Sequence, residues 1–440
     1  MAIYLLSGCT KEPGLVKRGK SQIIIGPDDP RLPDAVIHLS ADTVYVLATT
    51  INRNKGEMLE IEPGTLIKVN DGLSININEG ASITAEGSPS SPIIFTSSIY
   101  TSGAGLICSS CSSGHYWSGI TINGSAGGTN PTQGSGILKY LRIEFAGAGQ
   151  NIYNSLPSLL LINVNNATVV DNIQISYSSF APSFEIQGGD VNISHIISYA
   201  SNKSDFYVHG GYTGMMQNIL VYRHPYFPNE LSGPVLAGMY ISGDGDSTTS
   251  PVISNLTVLG PDLQRGTNLD YFADLPERRT ALLTSGACRF HIRNSVFMGF
   301  PKAAFYIDDY STAHALHFGE SEFSSCVVHS NDTSKTFYLP VGTYMPYISW
   351  DFKGYMLRPV FKNQFYLSSG QFLFADPFNY DSKPNPMPEP GSPLLTGANF
   401  DSTLFSNAFF QKVDYIGALG TENWMVGWTN FIPLQTNYNN

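Results

Sequence analysis

The sequence is poor in charge: only 13% of its 440 residues are Asp, Glu, Lys or Arg. Basic residues are the scarcer kind, 24 against 35 acidic ones, for a net charge of −11. A nucleic-acid backbone is gripped by Lys and Arg. With the balance acidic overall, no nucleic-acid partner is expected. No apolar run reaches the length of a membrane-spanning helix. Several common catalytic fingerprints are missing too: there is no GxSxG, no HExxH and no dinucleotide-binding GxGxxG. What is plentiful is Gly, Ser, Asn and Tyr, the composition of a β-protein with many tight turns.

A repeat runs through the middle of the chain. Phe184-Glu185-Ile186-Gln187-Gly188-Gly189 returns as Phe206-Tyr207-Val208-His209-Gly210-Gly211, 22 residues later. Tyr177 returns as Tyr199 and then as Tyr222. A fixed period of this size, made of short β-rich runs and Gly turns, signals a solenoid. One turn cannot bury its own apolar face, so each must lie on a near-copy of itself. The expected fold is therefore all-β, a parallel β-helix. Earlier, Ile61-Glu62-Pro63-Gly64 aligns with Ile77-Asn78-Glu79-Gly80 at a spacing of 16, with Ile61, Ile67, Ile77 and Ile83 expected to point inward. Gly64 and Gly80 read as backbone positions of unusual φ. Later coils share an apolar-x-Asn-x-x-apolar pattern at Asn172, Asn218, Asn255 and Asn294, read as an asparagine ladder between coils.

Six stretches interrupt or flank the regular part. Residues 123–136 are a loop by composition, and jumps in the Asn spacing imply side insertions near 225–238 and 261–279. Residues 331–390 lose the period and turn aromatic, with Phe337, Tyr344, Trp350 and Tyr355, as an excursion expected to cover part of the solenoid. Trp424 and Trp428, four apart, suit a short apolar lid over the C-terminal end. Residues 36–55 are expected to be strands capping the other end.

Leu6-Ser7-Gly8-Cys9 resembles the lipobox of bacterial lipoproteins, in which the cysteine is lipidated and becomes the first mature residue. Leu59–Val69, Gly80–Ser98, Trp117–Ile122 and Leu138–Phe145 resemble the first coils of right-handed parallel β-helix surface lipoproteins of Gram-negative bacteria. Tyr415–Gly420 and Trp424–Trp428 resemble a C-terminal segment that recurs in the same group. The resemblance implies a lipid-anchored outer-membrane protein, exposed at the cell surface, with a right-handed solenoid. The layout expected is a lipobox at 1–9, a polar tether at 10–35, a cap at 36–55, coils at 56–330, the excursion at 331–390 and a C-terminal cap at 391–440. The coils would number roughly 11 to 13 and span about 50–60 Å. Only eight residues, none basic, precede Cys9; an export signal needs more, so a start upstream of Met1 is expected.

Apart from Cys9, the cysteines are Cys108, Cys111, Cys288 and Cys326, an even number that permits two disulfides. Cys108-Ser109-Ser110-Cys111 reads as a local disulfide or two inert thiols, with a redox pair or a metal site with His115 as alternatives. Cys288 and Cys326 are candidates to bridge adjacent coils. Asp244 and Asp246 sit in a Gly-rich run that is a weak Ca²⁺ candidate; it lacks EF-hand spacing, and a solvated turn is the plainer reading. No other cofactor is expected.

Alternation offers a binding surface. If Phe184, Ile186, Phe206, Val208, Met239, Ile241, Phe305 and Ile307 point inward, then Glu185, Tyr207, Tyr240 and Tyr306 form an outward row. Gln187, His209, Ser242 and Asp308 would lie beside it. Aromatic faces next to polar groups on a flat sheet suit a glycan, so Tyr207, His209, Tyr240, Tyr306 and Asp308 are the candidate ligand-binding residues. Packing of these tyrosines beneath the insertions is the alternative. The function expected is a non-catalytic glycan-binding protein or an accessory subunit of an outer-membrane complex. A polysaccharide lyase or glycoside hydrolase on the same scaffold is the second reading. For that, Asp308-Asp309, Arg223-His224 and Arg278-Arg279 are the only suggestive pairs, and none has motif strength.

Overall fold

Four glycines mark how the chain bends. Gly56, Gly64, Gly72 and Gly80 all have positive φ, at 84°, 83°, 69° and 80°, a conformation that side chains resist. Each ends one side of a coil, so a coil has three sides, each built from one short strand. In this computed structural model the described residues are 20–99, 116–126, 133–148, 155–223, 236–244, 248–262, 279–340, 350–379 and 383–438.

Among them the three sides stack as three faces. Face 1 runs through Val36–Leu39, Met58–Ile61 and Ser82–Glu86, and face 2 through Thr43–Leu47, Leu66–Val69 and Ile93–Ser97. Face 3 runs through Ile51–Arg53, Ser74–Ile77 and Gly119–Asn123. All pairings along the faces are parallel. Faces 1 and 2 merge into one 17-stranded sheet because Gly136–Glu144, Val169–Ser176, Ile193–Tyr199, Met215–Tyr222 and Val252–Leu259 each run round the corner between them. Face 3 is a separate 10-stranded sheet, about 45 Å long at a spacing of about 4.8 Å. The parallel β-helix expected from the repeat is what forms. Phe184 lies over Phe206 in register, their rings stacked with centroids 5.3 Å apart.

Three details differ from the expectation. First, the 16-residue likeness compares two sides of one coil rather than stacked neighbours. Ile61 pairs with Ala85 and Ile77 with Ile122, although Ile61, Ile67, Ile77 and Ile83 all do point into the core. Second, the coils start before Gly56. Ser21–Ile25 pairs with Thr43–Leu47, so the expected tether and cap segments already contain rungs. The N-terminal end is closed instead around Arg53, which is fully buried and donates to the carbonyls of Leu32 and Asp34. Third, the asparagine column is a bend before it is a ladder. Asn172, Asn218, Asn255 and Asn294 have φ between 53° and 58°, joined by Tyr140 and His195, and they turn the chain from face 1 to face 2. Asn tolerates this left-handed conformation better than most residues. Direct amide-to-amide bonds between coils occur on face 3, from Asn76 to Asn52 at 2.8 Å and from Asn78 to Asn54 at 3.0 Å.

The two ends of the chain's second half have exchanged roles. The C-terminal end of the solenoid is closed by α1 (Tyr310–His317) together with the aromatic excursion, whose α2 (Phe352–Met356) packs Phe352 against Phe305 and Phe337. Trp424 and Trp428 do not cover that end. Residues 391–438 form a strap that runs back along the outside of the merged sheet, from Asn294 towards Glu144. Under it lies an outer apolar layer that includes Tyr177, Tyr199, Tyr222, Leu220 and Val296, onto which the strap packs Trp428. The strap is held by side-chain amides. Gln174, Gln217 and Asn294 each bond both the N–H and the C=O of one strap residue: Asn430, Gln411 and Asn399 respectively. This is why strands such as Val252–Leu259 are buried on both faces and read as continuous apolar runs.

Candidate functional site

Face 3 carries the outward row only in part. Its register runs Leu160, Glu185, Tyr207, Tyr240, Leu283, Tyr306, Tyr338. The strand Arg279–Ser285 inserts Leu283 between Tyr240 and Tyr306. Leu283 and Tyr306 are buried in a small apolar cluster with Ala237 and Ala303, so the row is not an exposed aromatic platform. Tyr207 stacks on His209 at 4.1 Å and on Tyr240 at 4.8 Å. The polar atoms are turned on each other as well. His209 Nε2 lies 3.1 Å from Glu185 Oε1, Tyr306 donates to Asp308 Oδ1 at 2.6 Å, and the hydroxyls of Tyr240 and Ser285 are 2.9 Å apart. Burial, then the neighbouring Tyr240, Glu185 and Asp244, pushes the Tyr207 phenol up to about 12.

A cleft lies elsewhere, between the last coils of face 1, the segment after α2 and the strap. Its volume is about 480 Å³. Strand His291–Arg293 sends His291 and Arg293 outward around the buried Ile292. On the next coil Glu322 sits directly over His291 in register. Arg293 Nε approaches Glu322 Oε1 at 2.6 Å, and Ser324 donates to the same oxygen at 2.6 Å. Arg293 Nη1 donates to Asn399 Oδ1 at 3.4 Å, and its guanidinium lies over the Phe405 ring at 4.8 Å. Phe361 and Lys362 form the opposite wall, Lys362 exposed and in the left-handed conformation. Burial holds the His291 imidazole below its usual range, with Glu322 opposing the shift and Arg293 adding to it. Hydroxyls of Ser321, Ser324, Ser402 and Thr403 complete the lining.

Residues 32–339 match the family model described as the pectate-lyase-like β-helix domain. The chain belongs to that family. No curated protein and no solved structure matches it.

Within this pectate-lyase-like β-helix, the other sequence candidates have mostly structural roles. Cys288 and Cys326 are free thiols, not a disulfide. They sit at different corners: Cys288 points to the Ile241 carbonyl, and Cys326, between faces 1 and 2, to that of Ser324. Burial pushes the Cys288 thiol up to about 12 and raises that of Cys326 further. Cys9, Cys108, Cys111, His115, His224, Asp246 and Arg278 lie outside the described residues. Asp244 is exposed, and no group of three metal-ligating side chains occurs among the described residues. Asp309 is the N-cap of α1, accepting from Thr312 N, so Asp308 and Asp309 serve a turn. Arg223 is buried in an ion pair with Asp205, Nε to Oδ2 2.8 Å, rather than flanking a groove. Among the described residues no helix is long and apolar enough to cross a membrane.

The cleft residues were missed for a definable reason. His-Ile-Arg and Glu-Phe-Ser do alternate around an inward residue, but α1 separates them and hides their register. The strap half of the cleft, Asn399 to Leu404, comes from far along the chain.

Proposed function

We propose that this pectate-lyase-like β-helix binds an acidic oligosaccharide in the cleft beside His291, Arg293 and Lys362, as a lipid-anchored surface protein. The observation that carries the reading is local charge. Arg293 and Lys362 face one carboxylate, Glu322, so the lining is net +1 on a chain of net −11. Hydroxyls and an aromatic wall suit a sugar, and the volume falls within the roughly 300–1,000 Å³ usual for ligand pockets. The family's name supports the acidic polymer pectate as the first ligand to try. Hydrolysis has less support, because it requires two carboxyl groups and Glu322 is already held by Arg293 and Ser324.

The test is calorimetric titration with galacturonate oligomers and with neutral oligosaccharides of equal length. Acidic oligomers should bind and neutral ones should not. Lys362→Ala should weaken binding roughly two- to fivefold, the range of an exposed ion pair. Equal affinity for both ligand classes would overturn the proposal. The lipobox-like Leu6–Cys9 supports the anchor, and Cys9→Ser should abolish incorporation of labelled fatty acid in the native host.

One observation favours a second reading. A His291 held neutral next to cations is suited to take the proton α to a uronate carboxylate, which starts β-elimination across the glycosidic C–O bond. An ultraviolet-absorbing unsaturated product that disappears in His291→Gln would establish it.

A further inference from the structure

An unbroken series of rings leads out of the cleft. Phe361, in the cleft wall, contacts Tyr355 at 5.1 Å. Tyr355 contacts His317 of α1 at 5.3 Å. His317 contacts Phe318 at 5.1 Å, and Phe318 contacts His314 at 4.3 Å. The inward side of α1, with Thr312, Ala313, Ala315 and Leu316, is buried. Its outward side ends in Phe318, which is 61% exposed. A single exposed aromatic residue is ordinary; one joined to a polar cleft by successive ring contacts is a directed feature. Gly319 follows Phe318 and lines the cleft mouth. A Cβ at Gly319 would meet no atom within 4 Å, so the backbone beside Phe318 stands in open space at the cleft's edge. Arg358 lies over Tyr355 at 3.8 Å and over Phe361 at 5.0 Å, so a ring face of each is already occupied.

We infer that the saccharide path continues past Gly319 to Phe318, where an outlying sugar ring stacks on the aromatic face. This rests on the cleft reading and extends it. The cleft supplies charge for uronate groups, and Phe318 supplies an apolar platform for the C–H face of a pyranose. The ligand class is thus an acidic chain longer than the cleft, not a monosaccharide or a short fragment.

The experiment compares a galacturonate trimer with a hexamer on the parent protein and on Phe318→Ala. Phe318→Ala gives up the ring contacts with His314 and His317 but removes no buried side chain, so the fold is kept; Phe318→Trp tests retention of an aromatic face. The hexamer should bind the parent about three- to tenfold more tightly than the trimer, the range of one aromatic contact. Phe318→Ala should remove that gain and leave the trimer unchanged, and Phe318→Trp should keep it. A parent that binds the trimer with no gain for the hexamer overturns the extension and leaves the cleft reading standing. So does a hexamer gain that survives Phe318→Ala, or an equal loss for both lengths. A parent that binds neither overturns both.

Discussion

Replacing Gln217 by Ala should release the strap without unstacking the coils. Gln217 is buried, and its carboxamide does three things. Its Oε1 accepts from Gln411 N at 2.8 Å, and its Nε2 donates to Gln411 O at 2.7 Å and to Asn255 Oδ1 at 3.1 Å. Two of these bonds reach the strap, and at about 1 kcal/mol net each the variant should lose about 2 kcal/mol from the strap's attachment. The loss stays local because the strap opens separately from the coil core. Hydrogen exchange by mass spectrometry reads it. Peptides covering 398–418 should exchange roughly 30-fold faster, at about 1.4 kcal/mol per tenfold. Peptides covering 184–208, where Phe184 stacks on Phe206, should be unchanged. An equal acceleration of both regions, or none in the strap, would refute the view that side-chain amides hold it.

Other outcomes follow from the same contacts. Phe206→Ala leaves a void between Phe184 and Met239, its partners above and below, and should cost about 3–5 kcal/mol, read as a lowered denaturation midpoint. Because His291 is held below its usual pKa of 6.5, the unfolded chain takes up a proton first as pH falls. Stability should therefore drop on acidification from just above 6.5 down through the depressed folded value, and His291→Gln should flatten that part of the melting profile. Affinity for galacturonate should move the opposite way, rising over the same window as the imidazole gains charge. Cys288 and Cys326 should resist alkylation in the native protein and react fully in denaturant, without prior reduction; a peptide linking the two would contradict their placement.

Much of the solenoid was legible because its period is local. Phe184 and Phe206 lie one coil apart, and both chain neighbours and coil neighbours obey the same alternation. The reading failed where a coil is not a simple period. Three sides of similar length made Ile61 resemble Ile77, two sides on, when its true neighbour is Ala85. The insertion before Arg279 concealed Leu283, and without it Tyr240 seemed to meet Tyr306 directly. The α1 insertion likewise separated His291 from Glu322. The strap was beyond reach of any pattern. Gln174 meets Asn430 across 256 residues, and an amide that bonds a distant backbone looks like any surface glutamine in sequence. The tyrosines at 177, 199 and 222, whose recurrence marks the period, form an outer stack under that strap.

The most direct measurement is a crystal structure of the protein soaked with a galacturonate trimer. Density between the Glu322–Ser324 strand and residues 399–404, with a carboxylate against Arg293 or Lys362, is the predicted result. Density over Tyr207 and Tyr240, or none in the cleft at saturating ligand, would contradict it.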